Sequence, residues 1–180
     1  LPITPETAEV IDSVGENCNL SNQDSSEVDS HNRFHIVYRK NDASGVPQYF
    51  HQWWDGREWR RTQVSQFTGV FTVKGGGTKA IPMSRPNLLF DDRDRVCVLY
   101  RDTRQGSRPM MATAVAPNYE KWNHVTLADV DLMLWEPTYD LTRWRQERVL
   151  DIFMQPTNQG DHEKVTNTGP QMVSVLEWRP

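Results

Sequence analysis

A twelve-residue stretch recurs without a gap 62 positions along the chain. Val28-Asp29-Ser30-His31-Asn32-Arg33-Phe34-His35-Ile36-Val37-Tyr38-Arg39 lies over Phe90-Asp91-Asp92-Arg93-Asp94-Arg95-Val96-Cys97-Val98-Leu99-Tyr100-Arg101. In both, a polar turn leads into an apolar run that ends in Tyr-Arg. Pro47 meets Pro109 at the same offset, and Trp59 meets Trp122 one position further on. A looser third copy follows. Glu136-Pro137 matches Arg85-Pro86, Val149 to Phe153 matches Val96 to Tyr100, and Gly169-Pro170-Gln171-Met172 matches Arg108-Pro109-Met110-Met111. A unit of this size cannot bury its own apolar faces, so repeated copies must stack on one another.

Each copy reads as short strands A to D. The first copy predicts strands at about 24–29, 33–39, 47–54 and 58–64, and the second at about 86–91, 95–101, 109–116 and 121–127. The third predicts strands at about 137–141, 148–155 and 170–178, and Pro180 comes before any strand D. The apolar runs are bounded by turns and do not alternate cleanly, as expected of strands covered on both faces. Helical rivals lie at Asp129 to Leu134 and Thr142 to Val149. Four-stranded units with a tryptophan near the last strand predict an all-β chain folded as blades of a β-propeller. The expected division is 1–22 as the tail and loop of a preceding blade, 23–65 and 84–127 as blades, and 135–180 as a blade lacking its outer strand. Three blades leave open edges and uncovered faces. The expectation is therefore a larger ring, completed by an N-terminal portion outside this chain, and poor stability for this part alone.

Composition narrows the function classes. Seven Trp, eleven Pro and ten Gly suit strands and turns. A net charge of −4 with no basic run disfavours nucleic acid and anionic membranes as partners. No apolar stretch is long enough to span a membrane. Cys18, in a polar loop, and Cys97, in a predicted buried strand, read as unpaired thiols rather than a zinc site. No cofactor or metal is expected.

The runs Asp29 to Tyr38, Gly75 to Lys79, Ile81 to Pro86, Trp135 to Asp140 and Pro170 to Trp178 resemble BNR-repeat propeller proteins. The closer likeness is to the group related to ulvan-type polysaccharide lyases and a propeller α-L-rhamnosidase. That resemblance implies a seven-bladed propeller that is secreted, periplasmic or on the cell surface and acts on uronic-acid-containing polysaccharide. Polysaccharide lyase activity by β-elimination is the first expectation. Glycoside hydrolysis releasing rhamnose or a related sugar is the second, and non-catalytic glycan binding the third, with Trp53, Trp54 and Trp135 as stacking platforms.

In a propeller the D–A and B–C loops share one face, near the axis. The repeat alignment brings Gln23, Arg85 and Glu136 to that mouth at the starts of the A strands. Tyr38, Arg39 and Arg101 join them from the ends of the B strands, and Gln48 and Tyr49 from the C strands. β-Elimination needs a guanidinium on the uronate carboxylate, a base for the C5 proton and an acid for the leaving oxygen. Arg85 is the candidate carboxylate binder, Tyr38 or Tyr49 the acid, and His51 the base. Gln23, Arg39, Gln48, Tyr49, Arg101 and Glu136 are candidate substrate contacts. Each has a structural rival. Arg85 and Glu136 could pair and hold blades in register, Arg39 and Arg101 could be strand-end residues on the rim, and Tyr38, Tyr100, His51 and His35 could pack blades together. Asp55-Gly56-Arg57-Glu58-Trp59 reads as a degenerate Asp-box turn. Lys74 to Lys79 lacks a phosphate-loop ending and reads as a mobile loop on the ligand face. Asp161-His162-Glu163 reads as solvated, because three consecutive loop residues do not converge on one ion.

Overall fold

The computed structural model describes residues 2–20, 25–73, 77, 80–158, 160–164 and 169–180. Three antiparallel sheets follow one another along the chain. The first contains β1 (Ser25–Val28), β2 (Phe34–Asn41), β3 (Pro47–Trp54) and β4 (Trp59–Gln63), each paired with the next. The second repeats this order with β5 (Asn87–Phe90), β6 (Val96–Asp102), β7 (Arg108–Ala114) and β8 (Asn123–Thr126). The third has three strands, β9 (Thr138–Tyr139), β10 (Leu150–Met154) and β11 (Ser174–Trp178), with β10 in the middle. The chain is all-β, and the sheets stack face to face as in a propeller.

The repeated turn sequence explains the repeated A–B hairpin. Asp29 Oδ1 accepts from the backbone N–H groups of His31 and Arg33, and its Oδ2 accepts from Arg33 Nε. Asp91 does the same for Arg93, Arg95 and Arg95 Nε. Asn32 and Asp94 take the left-handed conformation two residues before the B strand, a role that Asn and Asp tolerate well. In the third copy this turn is replaced by helix α1 (Leu141–Glu147), one of the two helical rivals. Asp140 caps it by accepting from Thr142 N and Arg143 N, and Arg148, left-handed, ends it. The expected strand over 137–141 is thereby cut to two residues. The other rival, 129–134, forms no helix. Its Met133 bridges Thr157 instead.

Stacking produces two apolar layers, and β6 is buried along its whole length between them. Its alternate residues divide between the layers. Val96, Val98 and Tyr100 meet Val37, Tyr49 and Trp53 of the first sheet, and Cys97 and Leu99 meet Leu150, Ile152 and Trp144 of the third. The period-2 pattern is masked in the sequence because both faces are covered. The innermost strands also touch in succession. Leu88 N donates to Ser25 Oγ, and Asn87 Nδ2 donates to Pro137 O. On the outward face of the first sheet, residues 9–12 lie across the strands. Glu9 accepts from Trp59 Nε1, Ile11 O accepts from Gln52 Nε2, and Asp12 lies beside Tyr38.

Candidate functional site

The segment 81–85, which enters the second sheet, is the hub of the mouth. Ser84 N donates to Arg101 O, and Arg101 N donates to Ser84 Oγ, so the segment is fastened to the end of β6. Arg101 then turns its guanidinium onto backbone carbonyls, those of Ile81 (3.0 Å), Pro82 and Trp135 (3.1 Å). It is fully buried, and burial lowers its pKa from the usual guanidinium value. Arg39, also buried, does the same one sheet earlier, reaching Asn19 O and Met83 O and lying over the Phe71 ring. Each of these arginines therefore ties the segment entering its own sheet to the segment entering the next. A planar fork with several donors suits this work, and a lysine would not span it. Arg39 and Arg101 are thus neither rim residues nor substrate contacts in this conformation.

The remaining predicted residues divide in the same way. Tyr49 is buried, and its hydroxyl donates to Ser84 O. Gln48 is buried too, with Nε2 donating to Phe67 O (2.9 Å) and Oε1 accepting from Ser65 Oγ and Phe67 N. Tyr38 and His51 cannot act together. Val37 pairs with His51 and Tyr38 with Phe50, so Tyr38 and His51 point from opposite faces of one sheet. The Tyr38 hydroxyl lies 2.6 Å from Asp12 Oδ2 and 2.8 Å from Gln52 Oε1, on the outward face. Burial raises the Tyr38 and Tyr49 pKa values above the ordinary phenol range. Gln23 and most of the Lys74 to Lys79 loop lie outside the described residues. Of that loop, Gly77 O accepts from His162 N, and nearby Ala80 N donates to Asp161 Oδ1.

His51 lies in a buried aromatic stack between the first and second sheets. Its ring stacks on Trp53 and meets Tyr119 edge-on at 5.0 Å. His51 Nε2 is 2.9 Å from His35 Nδ1, and His35 Nε2 faces Asp29 Oδ2 at 3.4 Å. A carboxylate only accepts, so His35 carries its proton on Nε2 and accepts at Nδ1 from His51 Nε2–H. His51 Nδ1 is left as a buried acceptor without a partner, as are the Trp53 indole N–H and the Tyr119 hydroxyl as polar groups. Burial drives the His35 pKa down to about 4 and lowers that of His51 as well. This histidine packs the first sheet against Tyr119 and Trp122 of the second.

What remains at the mouth is Arg85 with Glu136. Glu136 Oε1 accepts from Arg85 N (2.8 Å), and Oε2 accepts from Arg85 Nε (2.6 Å) and Nη2. The Arg85 side chain is still 41% exposed. It is thus a predicted cation at the mouth that solvent reaches and whose side chain pairs with a carboxylate. Ser84 and Asn19 were missed because their roles depend on segments from other sheets. Asn19 donates to Asn41 Oδ1 and Phe71 O and accepts from Val73 N. Among the described residues, no group of three or more His, Cys, Asp or Glu converges to hold a metal ion. Cys18 and Cys97 are free thiols. The Asp55 turn forms as expected, with Oδ1 accepting from Arg57 N and Glu58 N.

A comparison with curated proteins finds no match. Residues 1–67, which take in the segment across the outward face, the whole first sheet and the start of the connection to the second, match the BNR repeat-containing family.

Proposed function

We propose that this chain belongs to a seven-bladed, carbohydrate-recognising propeller that engages uronic-acid-containing polysaccharide outside the cytoplasm, and that Arg85 is its carboxylate contact. The observation that carries the reading is the pairing of Arg85, whose side chain solvent reaches, with Glu136, one carboxylate oxygen of which accepts from both Nε and Nη2. A guanidinium edge that already holds a carboxylate oxygen can exchange it for that of another carboxylate. The chain's own residues favour recognition over reaction, because His51, Tyr38 and Tyr49 are committed to internal contacts. β-Elimination is the second reading. It is favoured by the position of the Arg85 fork, which can stabilise charge developing on a uronate, and it takes its base and acid from blades outside this chain.

The test incubates the protein with ulvan-type and gum-type polysaccharides. Near-ultraviolet absorbance of unsaturated uronate marks lyase activity, and released rhamnose marks hydrolysis. Retention on the polysaccharide without either marks binding. Arg85→Ala is expected to lower retention on acidic polymers at least tenfold. Unchanged retention overturns the assignment.

A further inference from the structure

A second site is a cavity of about 360 Å³ lined by the end of the first sheet with its outgoing segment and by the second sheet. Its volume falls within the range of about 300–1,000 Å³ usual for small-molecule sites. Its lining includes Tyr100, His124, Trp122, Glu120, Gln63 and Gln66. The polar groups have fixed directions. His124 Nε2 lies 3.0 Å from Val64 O, which only accepts, so Nε2 carries the ring proton. His124 Nδ1 then accepts from the Tyr100 hydroxyl at 2.9 Å. With its proton committed, the Tyr100 oxygen offers lone pairs to the cavity. Burial lowers the His124 pKa and keeps the ring neutral near pH 7.

The outward face of the first sheet contains the same position in filled form. Tyr38 occupies the position 62 residues before Tyr100, and there the chain supplies its own oxygen ligand, the Asp12 carboxylate at 2.6 Å. Asp12 is neutralised by Lys40 and by Arg61 at 2.7 Å. Among the described residues, the Tyr100 hydroxyl meets the His124 ring and no carboxylate. The charges around it are also reversed in balance. Asp102 and Glu120 line the cavity, and the guanidinium of Arg104 is already held by Asp102 and stacked on Phe67 at 4.0 Å. With Asp102 and Arg104 paired, an incoming carboxylate would meet an acceptor oxygen and the Glu120 carboxylate. A neutral hydroxyl would meet acceptors it can satisfy, amide side chains that donate and accept, and an indole to pack against.

The geometry points to this inter-sheet cavity as a binding site for an uncharged sugar residue, with Tyr100 accepting from a sugar hydroxyl and Trp122 as the packing surface. It is independent of the reading of Arg85 and has its own test. The protein is titrated with the methyl glycosides of rhamnose, xylose and galactose, and in parallel with glucuronate. The indole N–H resonance of Trp122, assigned by its loss in Trp122→Phe, is followed by NMR. At least one neutral glycoside is expected to shift that resonance saturably, and glucuronate to leave it unmoved. Tyr100→Phe keeps the ring in the core and is expected to weaken the neutral glycoside about 2- to 10-fold, the worth of one neutral hydrogen bond. Arg85→Ala is expected to leave it unchanged. No shift with any neutral glycoside, an equal shift with glucuronate, or unaltered affinity in a folded Tyr100→Phe variant overturns the assignment.

Discussion

Lowering the pH from 7 to 5 should weaken the interface between the first and second sheets through His35 and His51. Both rings are completely buried. Desolvation is the largest influence on His35. The carboxylates of Asp29 and Asp94 oppose it, the Arg33 guanidinium adds to it, and the pKa comes to about 4 against an ordinary 6.5. The sign follows from proton counting. The unfolded chain binds more protons than the folded one between these two values, so stability is fully present above about pH 6.5. It declines as the pH falls and levels off below about 4. At pH 5 an unfolded histidine is almost wholly protonated while His35 in the fold is about one-tenth protonated. The loss relative to pH 7 is then about 2 kcal/mol from His35 alone. His51, lowered by desolvation and by the neighbouring His35, adds a loss of the same sign. Urea unfolding followed by tryptophan fluorescence at pH 7, 6 and 5 measures it. The control is the double variant His35→Leu/His51→Phe, which is less stable at every pH but should lose at least 2 kcal/mol less between pH 7 and 5. Asp29 keeps its Arg33 and backbone partners in that variant and stays ionised. A wild-type protein whose stability is flat over this range, or a double variant with the same slope, would refute the reasoning.

Arg101→Ala strips the carbonyls of Ile81 and Trp135 of the guanidinium donor, and leaves Pro82 O with Thr103 N alone. At about 1–3 kcal/mol for an unsatisfied group, a loss of roughly 3–5 kcal/mol is expected in the same unfolding assay, and Arg101→Lys should recover less than half. Asp91→Ala removes the acceptor for two backbone N–H groups and for Arg95 Nε. It should cost about 2 kcal/mol. The matching Asp29→Ala should cost more, because His35 also faces that carboxylate.

The strands were legible because the chain states its plan twice in register. Predicted strands at 33–39 and 95–101 became β2 at 34–41 and β6 at 96–102, fixed by the Asp29 and Asp91 turns and the apolar runs that follow them. The third copy was read less well. Its sequence departs from the Asp-x-x-x-Arg turn at the point where α1 intrudes, so superposition on the other copies made strand A too long. Side-chain roles were harder still. An arginine ending a strand looks the same in sequence whether its guanidinium reaches solvent or a carbonyl. Only the return of segments 18–20, 81–84 and 133–135 to the strand ends decides it. His51 shows a different limit. Its position on the C strand was right, but facing depends on strand register, and a shift of one residue moves a side chain to the other side of the sheet.

The repeat itself separates scaffold from specificity. At two pairs of positions where the copies agree, the shared residue is spent on holding the fold together. Asp29 and Asp91 close hairpins, and Arg39 and Arg101 tie the entering segments. A contact needed identically at every blade boundary cannot at the same time be specialised for one ligand. Where the copies share a residue that can meet a ligand, as at Tyr38 and Tyr100, the choice of ligand must come from neighbours on which they disagree. Arg85 corresponds to Glu136 in the next copy, and the two of them meet at the mouth. His124, partnered to Tyr100, stands across β7 and β6 where Arg61 stands across β3 and β2. The change from a charged guanidinium to a neutral ring coincides with the change from a self-filled position at Asp12 to an open cavity. On this argument, substituting a residue should be tolerated poorly at the agreeing positions that hold the fold, Asp29, Asp91, Arg39 and Arg101. At the disagreeing ones it should alter ligand preference while leaving the fold intact, with His124→Arg drawing an acidic sugar into the cavity that refuses it now.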